Sequence, residues 1–185
     1  MSILKSEEWD GEHLLSQGLP ADAKAVHTRD TVIEAFDIGQ GRMLLRGELR
    51  DRRGERFQTA GTRTVEAGEP LHGMVCEFEI DVEGGMEILA AQGAMPHTPH
   101  PTCPGWLEAL QELVGLRIEA GFNRKMRGSI AGASGCAHFT SLVTAMAPVA
   151  MQGRSGVQKR SGEMEGPEKD GGLHMANTCH VYAAD

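Results

Sequence analysis

The chain has 185 residues, 40% of them apolar and 24% charged, with a formal net charge of -8, which describes a globular domain large enough to bury a core without staples. The acidic balance excludes a nucleic-acid phosphate surface, where affinity comes from clustered Lys and Arg displacing counterions, and it disfavours anionic membranes. No apolar run approaches the ~20 residues of a membrane span, and the N-terminus with Glu7, Glu8 and Asp10 lacks the pattern of a signal peptide, so a cytoplasmic location is expected. The four cysteines, Cys76, Cys103, Cys136 and Cys179, are widely spaced without a CxxC pair, so reduced thiols are expected rather than disulfides or a zinc knuckle.

Residues 1–25 read as a polar, partly helical leader whose one strong anchor is Trp9. From Thr31 the pattern becomes strand: Val32 to Phe36, then Met43, Leu45 and Leu49 on one face against Arg42, Arg46, Glu48 and Arg50 on the other, joined by a turn at Gly39-Gln40-Gly41. Arg56 to Val65 is a weaker strand, broken at Glu66 to Pro70. Met74, Cys76, Phe78, Ile80 and Val82 alternate with Glu77, Glu79, Asp81 and Glu83, and Gly84-Gly85 turns this strand into a partner over Met86 to Ala91. The four acids read as a solvated face rather than a cation site.

Helical spacing follows. Thr102, Cys103 and Pro104 open a helix with Trp106, Leu107, Leu110, Leu113 and Val114 on one side and Gly115 as its stop. The basic run Asn123 to Arg127 predicts one or two turns. Another helix begins near Ser134-Gly135-Cys136-Ala137-His138, with Ser134 as a cap and a core stripe of Phe139, Leu142, Val143 and Met146. Pro148 is expected to kink or end it. The expected organisation is a core domain over 26–151, a flexible linker over 152–172 and a C-terminal segment over 173–185 that contains Cys179, His180 and Tyr182. Strand-like runs followed by helical runs predict an α+β fold, a mainly antiparallel sheet packed against C-terminal helices. Few aromatic residues leave the core to aliphatic and Met packing, and a homodimer through the sheet or a helix is expected.

The chain carries no GxGxxG after a strand, no Walker loop and no GxSxG elbow. Its chemistry-bearing candidates sit at element ends: His27 at a strand entrance, Glu69 and His72 around a turn, and Cys136 and His138 at a helix start. His27, Glu69, His72 and His138 suit proton transfer, and Arg29, Arg124, Cys136 and Tyr182 suit substrate binding, the arginines as clamps for a carboxylate or phenolate. Each histidine alone is more often a hydrogen-bonded structural residue, and a Cys at a helix start more often packs than reacts. A second group, His97, His100 and Cys103, has ligand-like HxxHxxC spacing on a proline-stiffened loop, with an exposed polar loop as its plainer reading.

Four strings carry a resemblance: Val26-His27-Thr28-Arg29, Gly68-Glu69-Pro70-Leu71-His72, the run from Val114 to Arg127, and Gly135-Cys136-Ala137-His138-Phe139. In order and spacing they resemble the bacterial domain-of-unknown-function family 2889 over about residues 25–150. This chain has Ala137 where the family carries Thr, and Asp51-Arg52-Arg53 where it carries Asp-Thr-Lys. The resemblance implies an accessory role in bacterial catabolism, including that of aromatic compounds.

Together these readings lead to an expected site of His27, Glu69, His72, Cys136 and His138 in one cleft, with Arg29 or Arg124 at its rim. The expected activity is a lyase without cofactor or metal, moving protons on a small aromatic substrate, lignin-derived in the most specific form, with release of formaldehyde. The alternative is a noncatalytic module in which His72, Cys136 and His138 hold a metal ion.

Overall fold

The computed structural model describes residues 19–60, 63–132 and 135–162. The expected leader anchor Trp9 and the C-terminal segment with Tyr182 lie outside these residues. The elements are β1 (His27–Gly39), β2 (Arg42–Arg53), the two-residue strands β3 (Phe57–Gln58) and β4 (Thr64–Val65), β5 (Pro70–Asp81), β6 (Glu87–His97), a 3-10 helix (Cys103–Leu113), α1 (Phe122–Ile130) and α2 (Ala137–Ser161). The long strands form one antiparallel sheet in the order β1-β2-β5-β6, and the helices cover one of its faces. The fold is α+β.

The period-2 pattern of the strands decides which face is covered. On β2, Met43, Leu45, Gly47, Leu49 and Asp51 are buried; on β5, Met74, Cys76, Phe78 and Ile80 are. On the outer face Arg42 pairs with Glu79, Arg46 lies 3.9 Å from Glu77, and Gln92 donates to Glu77. The acidic row of β5 therefore has cross-strand cations and amides as neighbours, exposed pairs of small energetic weight. Gly39, Gln40 and Gly41 all have positive φ, and a Cβ on Gly41 would collide with Glu83, which is why the first turn takes glycine.

Three boundaries differ from the sequence-based expectation. β1 begins at His27 rather than Thr31, because its ladder with β2 continues through the polar stretch that carries no apolar alternation. β6 runs to His97, past Pro96, which an edge strand tolerates because its missing N–H faces no neighbour. Finally, α2 continues through Pro148 to Ser161, so the first ten residues of the expected linker are helical. Packing overrides the lost hydrogen bond: Met146, Ala147, Ala150 and Val157 are buried, and Gly153 lies so close to the sheet that a Cβ there would meet Ala35 at 2.8 Å and Met43 at 3.0 Å.

The helix after Pro104 is 3-10 in form, and this explains a smaller departure. With three residues per turn, Leu107, Leu110 and Leu113 eclipse one another and face the core, while Val114 falls off the stripe and is 40% exposed. In α1, Phe122, Met126 and Ile130 recur at i, i+4 and are buried, leaving Arg124 on the exposed side. Gly135 is required between α1 and α2, since a Cβ there would lie 2.0 Å from the Ile130 carbonyl. The closed turn sets the start of α2: Cys136 is its N-cap residue, and Thr140 donates its hydroxyl to the carbonyls of Ile130 and Cys136. Ser134, the expected cap, lies outside the described residues.

Among the described residues no helix is long and apolar enough to cross a membrane.

Candidate active site

Register assembles the site. Arg29 pairs with Asp51 across β1 and β2, and Asp51 pairs with His72 across β2 and β5. The three side chains therefore form one row on the covered face of the sheet, with neighbouring Cβ atoms about 5 Å apart. α2 crosses this row with its second residue, His138.

Asp51 is the hub, at 1% relative exposure. A buried carboxylate is costly unless it is paired and hydrogen-bonded. Arg29 supplies the pairing through two parallel bonds, Nε to Oδ1 and Nη2 to Oδ2, both 2.7 Å. His138 Nε2 lies 3.2 Å from Oδ2 and His27 Nε2 3.5 Å from Oδ1. His72 Nδ1 is 3.6 Å from Oδ2, too far for a hydrogen bond, and this buried nitrogen has no partner among the described residues. The rings of His72 and His138 stack with centroids 3.9 Å apart.

The electrostatics follow from this packing. Burial works against the Asp51 carboxylate, yet the Arg29 hydrogen bonds and charge, with lesser help from His138 and His27, outweigh it and hold the carboxyl below its ordinary value. Burial, then the neighbouring His138, pushes His72 down to about 4 against the pull of Asp51. Burial also lowers His138, although Asp51 opposes the shift. At neutral pH the cluster is thus a carboxylate-guanidinium pair beside two neutral imidazoles. With His138 Nε2–H donating to Asp51, the Nδ1 lone pair is left as its basic nitrogen.

Of the residues expected from sequence, His27, Arg29, His72 and His138 come together around Asp51. Glu69 does not: it sits exposed in the turn before β5, where its carboxylate accepts from the Glu66 N–H, and Asp51 is the carboxylate that meets the imidazoles. Arg124 is on the exposed side of α1, Cys136 packs half-buried against the core at the α2 N-terminus, and Tyr182 lies outside the described residues. His27 is the first residue of β1, at the strand entrance where it was expected, and Arg29 is the third. Asp51 was the residue sequence reasoning missed. Its signal was its parity, as the last of the alternating inward positions Met43, Leu45, Gly47, Leu49 and Asp51; a carboxylate in that series has to have partners.

The HxxHxxC group does not converge. His97 rests its ring against Gly73 at the end of β6, and His100 bonds the Thr102 hydroxyl at 2.7 Å. Among the described residues, Asp51, His72 and His138 are the His, Cys, Asp or Glu side chains that bring three ligand atoms within 4.8 Å of one another.

A family model described as a protein of unknown function (DUF2889) matches residues 27–152. The chain belongs to this family, and the match spans the strands and helices that build the site. No curated protein and no solved structure matches the chain.

Proposed function

We propose that the chain is a lyase that works by proton transfer on a small aromatic substrate. One observation carries this reading: imidazoles from β1, β5 and α2 converge on a single buried carboxylate held in place by a bidentate arginine. A base oriented by a fixed carboxylate is the arrangement general acid–base catalysis needs, and each such group contributes roughly 10²–10⁴-fold. In this reading His138, oriented by Asp51, is the base, and the neutral imidazole of His72 beside it donates a hydrogen bond to the departing oxygen. His27 is the third imidazole, on the more exposed side.

The substrate class follows from how little the protein must supply. A phenolate expels a benzylic oxygen to give a quinone methide. The base then takes the proton of a neighbouring hydroxymethyl group, the C–C bond breaks, formaldehyde leaves, and the bonding pair restores the aromatic ring. A lignin-derived dimer with such a side chain has this chemistry built in, and no electron acceptor is required. The test is to incubate metal-stripped protein with a panel of phenolic dimers and follow product masses and formaldehyde. Turnover lost in His138→Ala but kept in Cys136→Ala is the expected result; unchanged substrates throughout would sink the reading.

One observation favours a second reading, a metal ion on Asp51 Oδ2, His72 Nδ1 and His138 Nε2, whose proximity suits a ligand set. Against it, Arg29 already engages both carboxylate oxygens and the imidazoles stack face to face instead of diverging. Elemental analysis of the purified protein separates the two.

A further inference from the structure

Of the two cationic clamps expected from sequence, Arg124 lies on the exposed side of α1 and Arg29 has its Nε and Nη2 committed to Asp51. If the site takes an anionic substrate, another cation has to receive it. Alternation along β2 places the exposed Arg53 two residues beyond Asp51 on the same side of the sheet, and the β1–β2 ladder sets it opposite His27. His27 and Arg53 thus form the row outside Arg29, Asp51 and His72.

The arginines around this end of β2 are not equivalent. Arg50 pairs with Glu48, Arg52 with Asp30 and Arg56 with Glu66. Arg53 makes no ion pair among the described residues. Its Cζ lies instead 4.3 Å over the ring of Phe57, and its side chain is exposed. An exposed guanidinium held over an aromatic ring and without an ion-pair partner keeps N–H groups available to an oxyanion. The backbone beneath is fixed on both sides: the Arg53 carbonyl accepts from Gly68, Gly54 donates to Val26, and a Cβ on Gly54 would lie 1.9 Å from the Ala25 carbonyl.

We propose that Arg53, carried on Phe57 and facing His27, is the anion-recognition residue of the site, and that its ligand is an aromatic ring bearing a carboxylate or phenolate oxygen. Asp51 and Arg53 are about 6–7 Å apart along the strand, the span of one substituted ring. An oxyanion on Arg53 therefore puts the far side of that ring at the imidazoles. This assignment rests on the acid–base reading for what happens next, but not for binding.

The test uses the full chain and three probes, benzoate, 4-nitrophenolate and neutral benzamide, titrated by calorimetry and by the histidine ring resonances in NMR. Benzoate or 4-nitrophenolate should bind and shift the histidine resonances, and the tighter of the two identifies the oxyanion. Arg53→Gln should weaken that binding about tenfold or more, as loss of a charge-assisted hydrogen bond does, with Arg53→Lys recovering part of it and benzamide indifferent to either change. Equal affinity of wild type and Arg53→Gln for both anions, or no binding of either, overturns the proposal. Arg53-dependent binding in a protein that turns over no aromatic substrate upholds anion recognition and removes the lyase; turnover with Arg53-independent binding does the reverse.

Discussion

The molecule carries two histidine groups that differ in how they are assembled. His97, His100 and Cys103 follow one another at ligand-like spacing, yet each finds a local occupation, against Gly73, on Thr102 or along the 3-10 helix. His27, His72 and His138 are far apart in sequence, yet strand register and the docking of α2 bring all three onto Asp51. What distinguishes them is a buried charge. A carboxylate at an inward sheet position draws polar partners to itself from every element within reach, whereas an exposed loop imposes no such demand.

The sharpest way to break this contrast is Asp51→Asn, which keeps the shape and removes the charge. We expect turnover to fall by about 10³-fold, and stability by about 2–3 kcal/mol, below the full value for a buried pair because Arg29 reaches solvent. Chemical denaturation and product formation measure both. Next, His138→Ala and His72→Ala should each lower turnover by roughly 10²-fold or more, while Cys136→Ala should stay within about fivefold; a dead Cys136→Ala with active histidine variants would point to a covalent thiol instead.

A pH series probes the same cluster. His72 and His138 titrate lower when folded than unfolded, so the unfolded chain binds the extra protons first. Stability is fully present above the ordinary histidine value of about 6.5 and is lost as pH falls toward about 4. The loss should be about 1–2 kcal/mol, less than the full shift implies because solvent screens the partly exposed rings, and His72→Gln should flatten this slope in urea midpoints taken at several pH values.

Smaller again is Gly47→Ala. A Cβ at Gly47 would meet the Met146 sulfur at 2.6 Å, lifting α2 and with it His138. Overpacking of this kind costs about 1–2 kcal/mol, and turnover should fall more than that loss of folded protein accounts for. The weakest effect belongs to the other histidine group, where His100→Ala should change stability by less than about 0.5 kcal/mol and leave turnover unaltered.

Much of the fold was legible in the chain because alternation is written plainly in β2 and β5, and turn residues mark both hairpins. The full length of β1 was not, since Thr28, Arg29, Asp30 and Thr31 show no apolar alternation; only the ladder to β2 reveals the strand. Pro148 misled for a related reason, because a local backbone rule says nothing of the packing that holds Ala150, Gly153 and Val157 against the sheet. Three site histidines and Arg29 could be named from residue type and position. Asp51 could not be reached by motif, because its importance lies in facing inward, and Glu69 drew attention as the acid nearest His72 in sequence although its turn leaves it exposed.

That α2 delivers His138 with its second residue has a consequence for how the protein acquires activity. The cluster draws on three strands and a helix between positions 27 and 138, so its contacts are among the most non-local in the chain, and loop-closure entropy must be overcome before any of them forms. A partly folded species that has paired β1 with β2 but not docked α2 holds Arg29 against Asp51 in water, with ordinary imidazoles and no oriented base. On the proposed acid–base reading, catalysis requires α2 to be docked on the sheet, so a species lacking that contact is expected to be inactive.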